Sequence, residues 1–141
     1  MPKTVLLAID LSDSKSSKKA LGGAIELLNK DGTLHVVSVL PDFGLAQVSG
    51  YFKKDFEKQA LLKLGHELEK WTQSNVPANI NARPHVLHGT VYHEVLQAAK
   101  KLKIDVIVLA AHRPELKDYF LGPNAARIVR HAKQSVYVVR N

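Results

Sequence analysis

The run Val106-Ile107-Val108-Leu109-Ala110-Ala111-His112-Arg113, continued by a polar stretch to Leu121-Gly122-Pro123-Asn124-Ala125, decides how the rest of the chain is read. Its first half is continuously apolar, as a strand buried on both faces must be. It then breaks at the small side chains of Ala110 and Ala111 and the cation of Arg113. A glycine and a proline precede a new apolar period that runs to His131. Glycine lets a ligand approach the backbone closely, and proline presets the first helical φ. A helix start carries N–H groups without intrahelical acceptors and a partial positive charge. A strand end and a helix start with little side chain between them form an anion seat.

Working outward, the same alternation recurs. Residues 4–9 read as a buried first strand ending at Asp10, with Ser12, Asp13 and Ser14 as helix caps. Ala20, Leu21, Ala24, Ile25 and Leu28 follow at helical spacing, and Asp31-Gly32 is expected to end that helix. Residues 33–39 form the second strand. Residues 40–52, with Pro41, Gly44 and Gly50, read as a long loop. Phe56, Ala60, Leu61, Leu64, Leu68 and Trp71 then make one stripe on a helix of about five turns.

Residues 79–87 make a third strand, and Pro84, which cannot donate to a ladder, assigns it to a sheet edge. Val91, Val95, Ala98, Ala99 and Leu102 face one way on the next helix, with Glu94 near its positive end. Ala125, Ile128, Val129 and Ala132 give a short helix, and residues 135–140 the fifth strand. Strands alternating with helices imply an α/β fold. The expected architecture is one Rossmann-like domain over residues 1–141. It is a five-stranded parallel sheet in the order 3-2-1-4-5 with helices on both faces. In that order the loops after Asp10 and after Ala110 open on one crevice, where the strand order reverses and ligands bind.

Composition narrows the classes. The chain has 141 residues, 45% apolar and 23% charged, ordinary values for a globular domain. Cysteine is absent, which removes disulfides, thiol chemistry and cysteine-based zinc sites. No apolar run approaches the roughly 18–20 residues that cross a bilayer. Met1-Pro2-Lys3 leads straight into a strand, so no signal peptide is expected and the cytoplasm is the default location. The net charge of +7 favours anionic partners. The lysines are dispersed along helices and no basic stripe carries interleaved aromatics, so nucleic acid is not the expected partner. His85, His88 and His93 do not form a metal-binding set, because residues three apart on a strand point to opposite faces. No Walker loop, Gly-x-Gly-x-x-Gly or Gly-x-Ser-x-Gly elbow is present.

At this point the residues resemble a known family. Ala8-Ile9-Asp10-Leu11-Ser12-Asp13-Ser14 is similar to the opening of the universal stress proteins. So are Ala110-Ala111-His112-Arg113, the segment from Leu121 to Ala132, and the terminal Val136-Tyr137-Val138-Val139-Arg140. The likeness covers essentially the whole chain and resembles the single-domain bacterial F and G types. It implies an adenine nucleotide alpha hydrolase-like fold that binds ATP, or AMP or ADP, with or without Mg. The family motif is Gly-x-x-Gly, nine residues, then Gly-Ser or Gly-Thr. Here Ala110 and Arg113 stand for the first two glycines, eight residues separate Arg113 from Gly122, and Pro123 replaces the hydroxyl residue.

The resemblance places the nucleotide against Ala8, Asp10 and Leu11, against Val39, against Ala110, His112 and Arg113, and against Gly122, Pro123, Asn124 and Ala125. Asp10 holds the ribose, or the phosphates through a metal, or is simply a turn and cap residue. Val39 packs on adenine or belongs to the core. His112 meets the nucleotide or stabilises its loop. Arg113 either pairs bidentately with phosphate or is a surface cation. Gly122 donates its amide to phosphate or only makes a turn. Pro123 removes one N–H and one hydroxyl from the seat. At about 1–3 kcal/mol per donor, that loss weakens binding by tens to thousands of fold, with the amides of Asn124 and Ala125 remaining.

Two functions of different class follow. One is a nucleotide-binding stress or signalling regulator, not an enzyme beyond slow ATP hydrolysis, whose bound state presents a surface to an unknown protein partner. The other is an interaction module of the same fold without nucleotide. The family also implies a homodimer paired through strand 135–140.

Overall fold

A computed structural model describes residues 2–41, 50–111 and 122–140, with side chains from residue 54 onward in the middle segment. Its elements are β1 (Thr4–Ala8), α1 (Ser14–Leu27), β2 (Thr33–Leu40), α2 (Gly50–Asn75), β3 (Asn81–His88), α3 (Val91–Lys101), β4 (Val106–Ala110), α4 (Pro123–His131) and β5 (Ser135–Val139). The five strands are parallel, in the order β3-β2-β1-β4-β5. This is the expected topology, and it opens the crevice between β1 and β4.

The apolar runs of the central strands are buried because helices cover both sides of the sheet. On one face, Val5, Leu7, Leu34 and Val36 meet Leu21 and Ala24 of α1 and Leu68 of α2. On the other, Leu6, Val37 and Ile107 meet Val95 and Ala99 of α3 and Ile128 of α4. The Asp105 carboxylate ties β1 to the start of β4 by accepting the amides of Thr4 and Lys3, each at 3.0 Å. Those two bonds hold its pKa below the usual carboxylate value.

β3 is an edge strand, as Pro84 requires. Gly89 donates its amide to the Leu40 carbonyl, so strand alternation turns residues 83, 85 and 87 toward β2 and Pro84 outward. The missing donor therefore interrupts no rung. Two boundaries and one burial differ from the sequence reading. α1 ends at Leu27 rather than at Asp31-Gly32, because Leu28 turns to extended ψ and Asn29 donates to the Pro2 carbonyl. α2 begins at Gly50 and runs 26 residues, longer than the apolar stripe alone suggests. Val129 is 45% exposed rather than on the buried face of α4, which Ala125 and Ile128 occupy.

Candidate functional site

A cavity of about 350 Å³ lies at the carboxyl ends of β1, β2 and β4. That volume falls in the range of small-molecule sites. Ala8, Asp10, Val39, Ala110, Asn124 and Ala125 line it, so one hollow gathers six of the expected residues from four separate segments. Leu11 instead packs, partly buried, against the core on the α1 face and is not part of the lining. His112 and Arg113 lie outside the described residues.

One wall is the turn from β1 into α1. The Asp10 carboxylate accepts the Ser12 amide at 2.9 Å and the Ser12 hydroxyl at 2.6 Å. The Asp10 carbonyl accepts the Asp13 amide and the Ser17 hydroxyl, each at 2.9 Å. Asp13 is the N-cap of α1, its carboxylate accepting the Ser16 amide at 3.3 Å. These bonds hold the turn in place, with Asp10 and Asp13 both in the cavity lining. Cap chemistry and site position coincide here, which is why both readings of Asp10 applied to the sequence.

The opposite wall is the start of α4. Gly122 is its N-cap and Pro123 its first residue. The Gly122 amide, expected as a phosphate donor, is instead donated to the Ala111 carbonyl at 3.2 Å. Neither Gly122 nor Pro123 belongs to the cavity lining. The first intrahelical bond runs from Ala126 to the Gly122 carbonyl at 2.9 Å. That leaves the amides of Asn124 and Ala125 as the donors of this helix start. The Asn124 side chain is engaged elsewhere, its carboxamide oxygen accepting the Tyr92 amide at 3.2 Å. The Arg127 guanidinium lies 5.0 Å from the centre of the Tyr92 ring. The starts of α3 and α4 are thereby pinned to each other beside the cavity.

The floor and the third wall are apolar: Val37, Val39, Leu109, Val91 and Val95. Val91 and Val95 read in the sequence only as a helix core stripe; their position at the start of α3 also places them in the cavity. Ile9 donates its amide to the Val37 carbonyl at 2.9 Å. Strand alternation turns Val39 to the same side as Val37, beyond the end of β1, so its peptide edge faces the crevice. Ser16 and Ser38 also line the cavity and are 4% and 5% exposed. The hollow thus has an apolar side, a hydroxyl- and carboxylate-bearing side, and a helix start with open amides.

A family model described as the universal stress protein family matches residues 1–140. The chain belongs to the universal stress protein family. It is 35% identical over 150 residues to universal stress protein G of Escherichia coli O157:H7, covering 99% of this chain and 100% of that relative. Among solved structures, hypothetical protein MJ0577 superposes with a TM-score of 0.84 at 16% identity, covering 99% and 96% of the two chains. The universal stress protein of Archaeoglobus fulgidus, in complex with dAMP, superposes with a TM-score of 0.59 at 16% identity and 96% coverage of each. The expected adenine nucleotide alpha hydrolase-like fold is therefore the fold of this chain. Among the described residues, no helix of this universal stress protein is long and apolar enough to cross a membrane, and no cluster of metal-binding side chains occurs.

Proposed function

We propose that this universal stress protein binds an adenine nucleotide in the crevice between β1 and β4 and acts as a cytoplasmic stress-response regulator. The observation that carries the reading is the pairing, across one cavity, of the Asp10 turn with the amide-bearing start of α4. The apolar side with Val39 and Val95 suits a planar base, Asp10 a sugar, and the amides of Asn124 and Ala125 a phosphate. Ala8 and Ala110 line the proposed site, His112 and Arg113 join it by the family resemblance, and Gly122 and Pro123 border its phosphate seat without lining the cavity, with ATP, ADP or AMP as ligand, with or without Mg. The dAMP-bound relative of the same fold supports an adenine nucleotide here. Occupancy rather than turnover is the output, because Asp10 and Asp13 are engaged in holding their own turn and neither stands as a poised general base. We further propose a homodimer joined through β5, and a protein partner that reads the occupied state.

Denaturing the purified protein and weighing what is released tests the reading directly, with an adenine nucleotide as the expected product. Calorimetry on Gly122→Glu adds the placement. A carboxylate at the cap of α4 neutralises the positive end of the helix that would hold the phosphate and repels the phosphate itself, so binding is expected to fall below detection. Affinity equal to that of the unaltered protein rejects the phosphate seat. A nucleotide-free interaction module is the second reading. Pro123 in place of a hydroxyl residue and the commitment of the Gly122 amide to Ala111 favour it. Protein that carries no nucleotide and takes up none at millimolar concentration establishes that reading instead.

A further inference from the structure

We infer that Ser16 contacts the ligand directly and holds its nucleoside end, an inference that rests on the nucleotide reading above. Ser16 lies in the first turn of α1 and lines the cavity. It is 4% exposed, and its hydroxyl oxygen has no hydrogen-bond partner and is closed to water in this rotamer, so a ligand reaches it by a turn of χ1 toward the cavity. Its neighbour Ser17 is equally buried yet donates to the Asp10 carbonyl at 2.9 Å. Burial in this turn therefore does not by itself strand a hydroxyl. Helical hydroxyls commonly bond back four residues, as Thr72 does to the Leu68 carbonyl at 2.8 Å. Four residues before Ser16 stands Ser12, which precedes the helix, so that escape is closed.

A buried hydroxyl without a partner destabilises the free protein, and that cost is recovered when something in the cavity bonds to it. The surrounding charges say which end of a nucleotide this is. Asp10 and Asp13 line the same side of the cavity as Ser16 and repel phosphate. The amides of Asn124 and Ala125 on the opposite wall attract it. The uncharged nucleoside end is left facing α1. Its sugar hydroxyls and base edge offer both donors and acceptors, and a serine hydroxyl satisfies either kind.

Calorimetry with AMP and with ATP on the unaltered protein and on Ser16→Ala, together with melting of both free proteins, decides the matter. Ser16→Ala is expected to bind both nucleotides about ten- to hundredfold more weakly, by the same factor for each. The free variant is expected to melt at the same temperature as the unaltered protein or higher. A hydroxyl with a purely structural role gives the reverse, a lower melting temperature with affinity retained. Three results overturn the inference while leaving the nucleotide reading intact: unchanged affinity, a loss that grows from AMP to ATP, or weaker binding accompanied by a lower melting temperature. If the unaltered protein binds neither nucleotide, the nucleotide reading falls and this inference falls with it.

Discussion

His35 and His85 stand on adjacent strands with Nδ1 of one 2.9 Å from Nε2 of the other and their rings stacked at 5.1 Å. A single N–H shared between two neutral rings satisfies that geometry; two imidazolium rings cannot share it. Burial is the main cause that lowers both pKa values from the ordinary 6.5, with the neighbouring charge of Arg83 adding to it and His85 further depressing His35. The native state then binds fewer protons than the unfolded chain between the depressed values and 6.5. Stability is full above about pH 6.5 and is lost as pH falls toward the folded values. The slope cannot exceed about 1.4 kcal/mol per pH unit for each histidine. Urea unfolding at pH 7.5 and 5.0 is expected to show this loss, and a His35→Val/His85→Val protein a shallower one; equal slopes would exclude the pair as the cause. The sequence did not disclose this contact. Local spacing relates His85 to His88 and His93, its near neighbours, whereas its partner is 50 residues away and is selected by the register of β2 on β3. Asp13 was legible as a cap because capping is local chemistry. Ser16 was not, because only the packed turn shows that its hydroxyl lacks a partner.

At the scale of elements, the sequence carried the alternation of strands and helices because hydrophobic period is a property of each segment by itself. What it did not carry is how closely segments approach. Gly22 and Gly23 look equivalent in α1, yet a Cβ on Gly22 meets nothing within 4 Å. One on Gly23 lies 2.8 Å from Val139 Cγ2 and 3.1 Å from Tyr137 Cε2. Gly23 therefore lets α1 lie flat against β5. Two adjacent substitutions should separate helix propensity from packing. Gly22→Ala is expected to raise stability by about 0.5–1 kcal/mol, since alanine restricts the unfolded chain and favours helix. Gly23→Ala gains the same propensity but forces Val139 aside, for a net loss of about 1–3 kcal/mol. Denaturant titration of the two proteins checks the contrast, and a Gly23→Ala protein as stable as Gly22→Ala would show that β5 yields without strain. The candidate site follows the same rule. Four of its lining segments are legible in the sequence as site, but the start of α3 reads there only as core, and the partner of the Gly122 amide is set by the packed position of Ala111.

For the whole molecule, the sheet has two edges, and the chain treats them differently. β3 is blunted by Pro84, which faces outward. β5 carries Val136, Tyr137, Val138 and Val139 without a proline, and Tyr137 is 39% exposed. Ala111 donates to the Val139 carbonyl, so alternation points the peptide groups of 137 and 139 toward β4 and those of 136 and 138 outward. Outward donors and acceptors on an apolar edge are a template for another strand, and a second copy running antiparallel offers the same groups in return. Val138→Pro tests the proposed dimer with little collateral damage. The N–H it removes is one that β4 does not use, and its fixed φ is tolerated on an edge strand. The unaltered protein is expected to elute as a dimer and the variant as a folded monomer with the melting cooperativity of a single domain. A variant that remains dimeric would place the interface elsewhere on the surface. A variant that becomes monomeric while keeping its nucleotide affinity would show that the crevice is complete within one chain, as its lining by β1, β2, β4 and the starts of three helices of that chain requires.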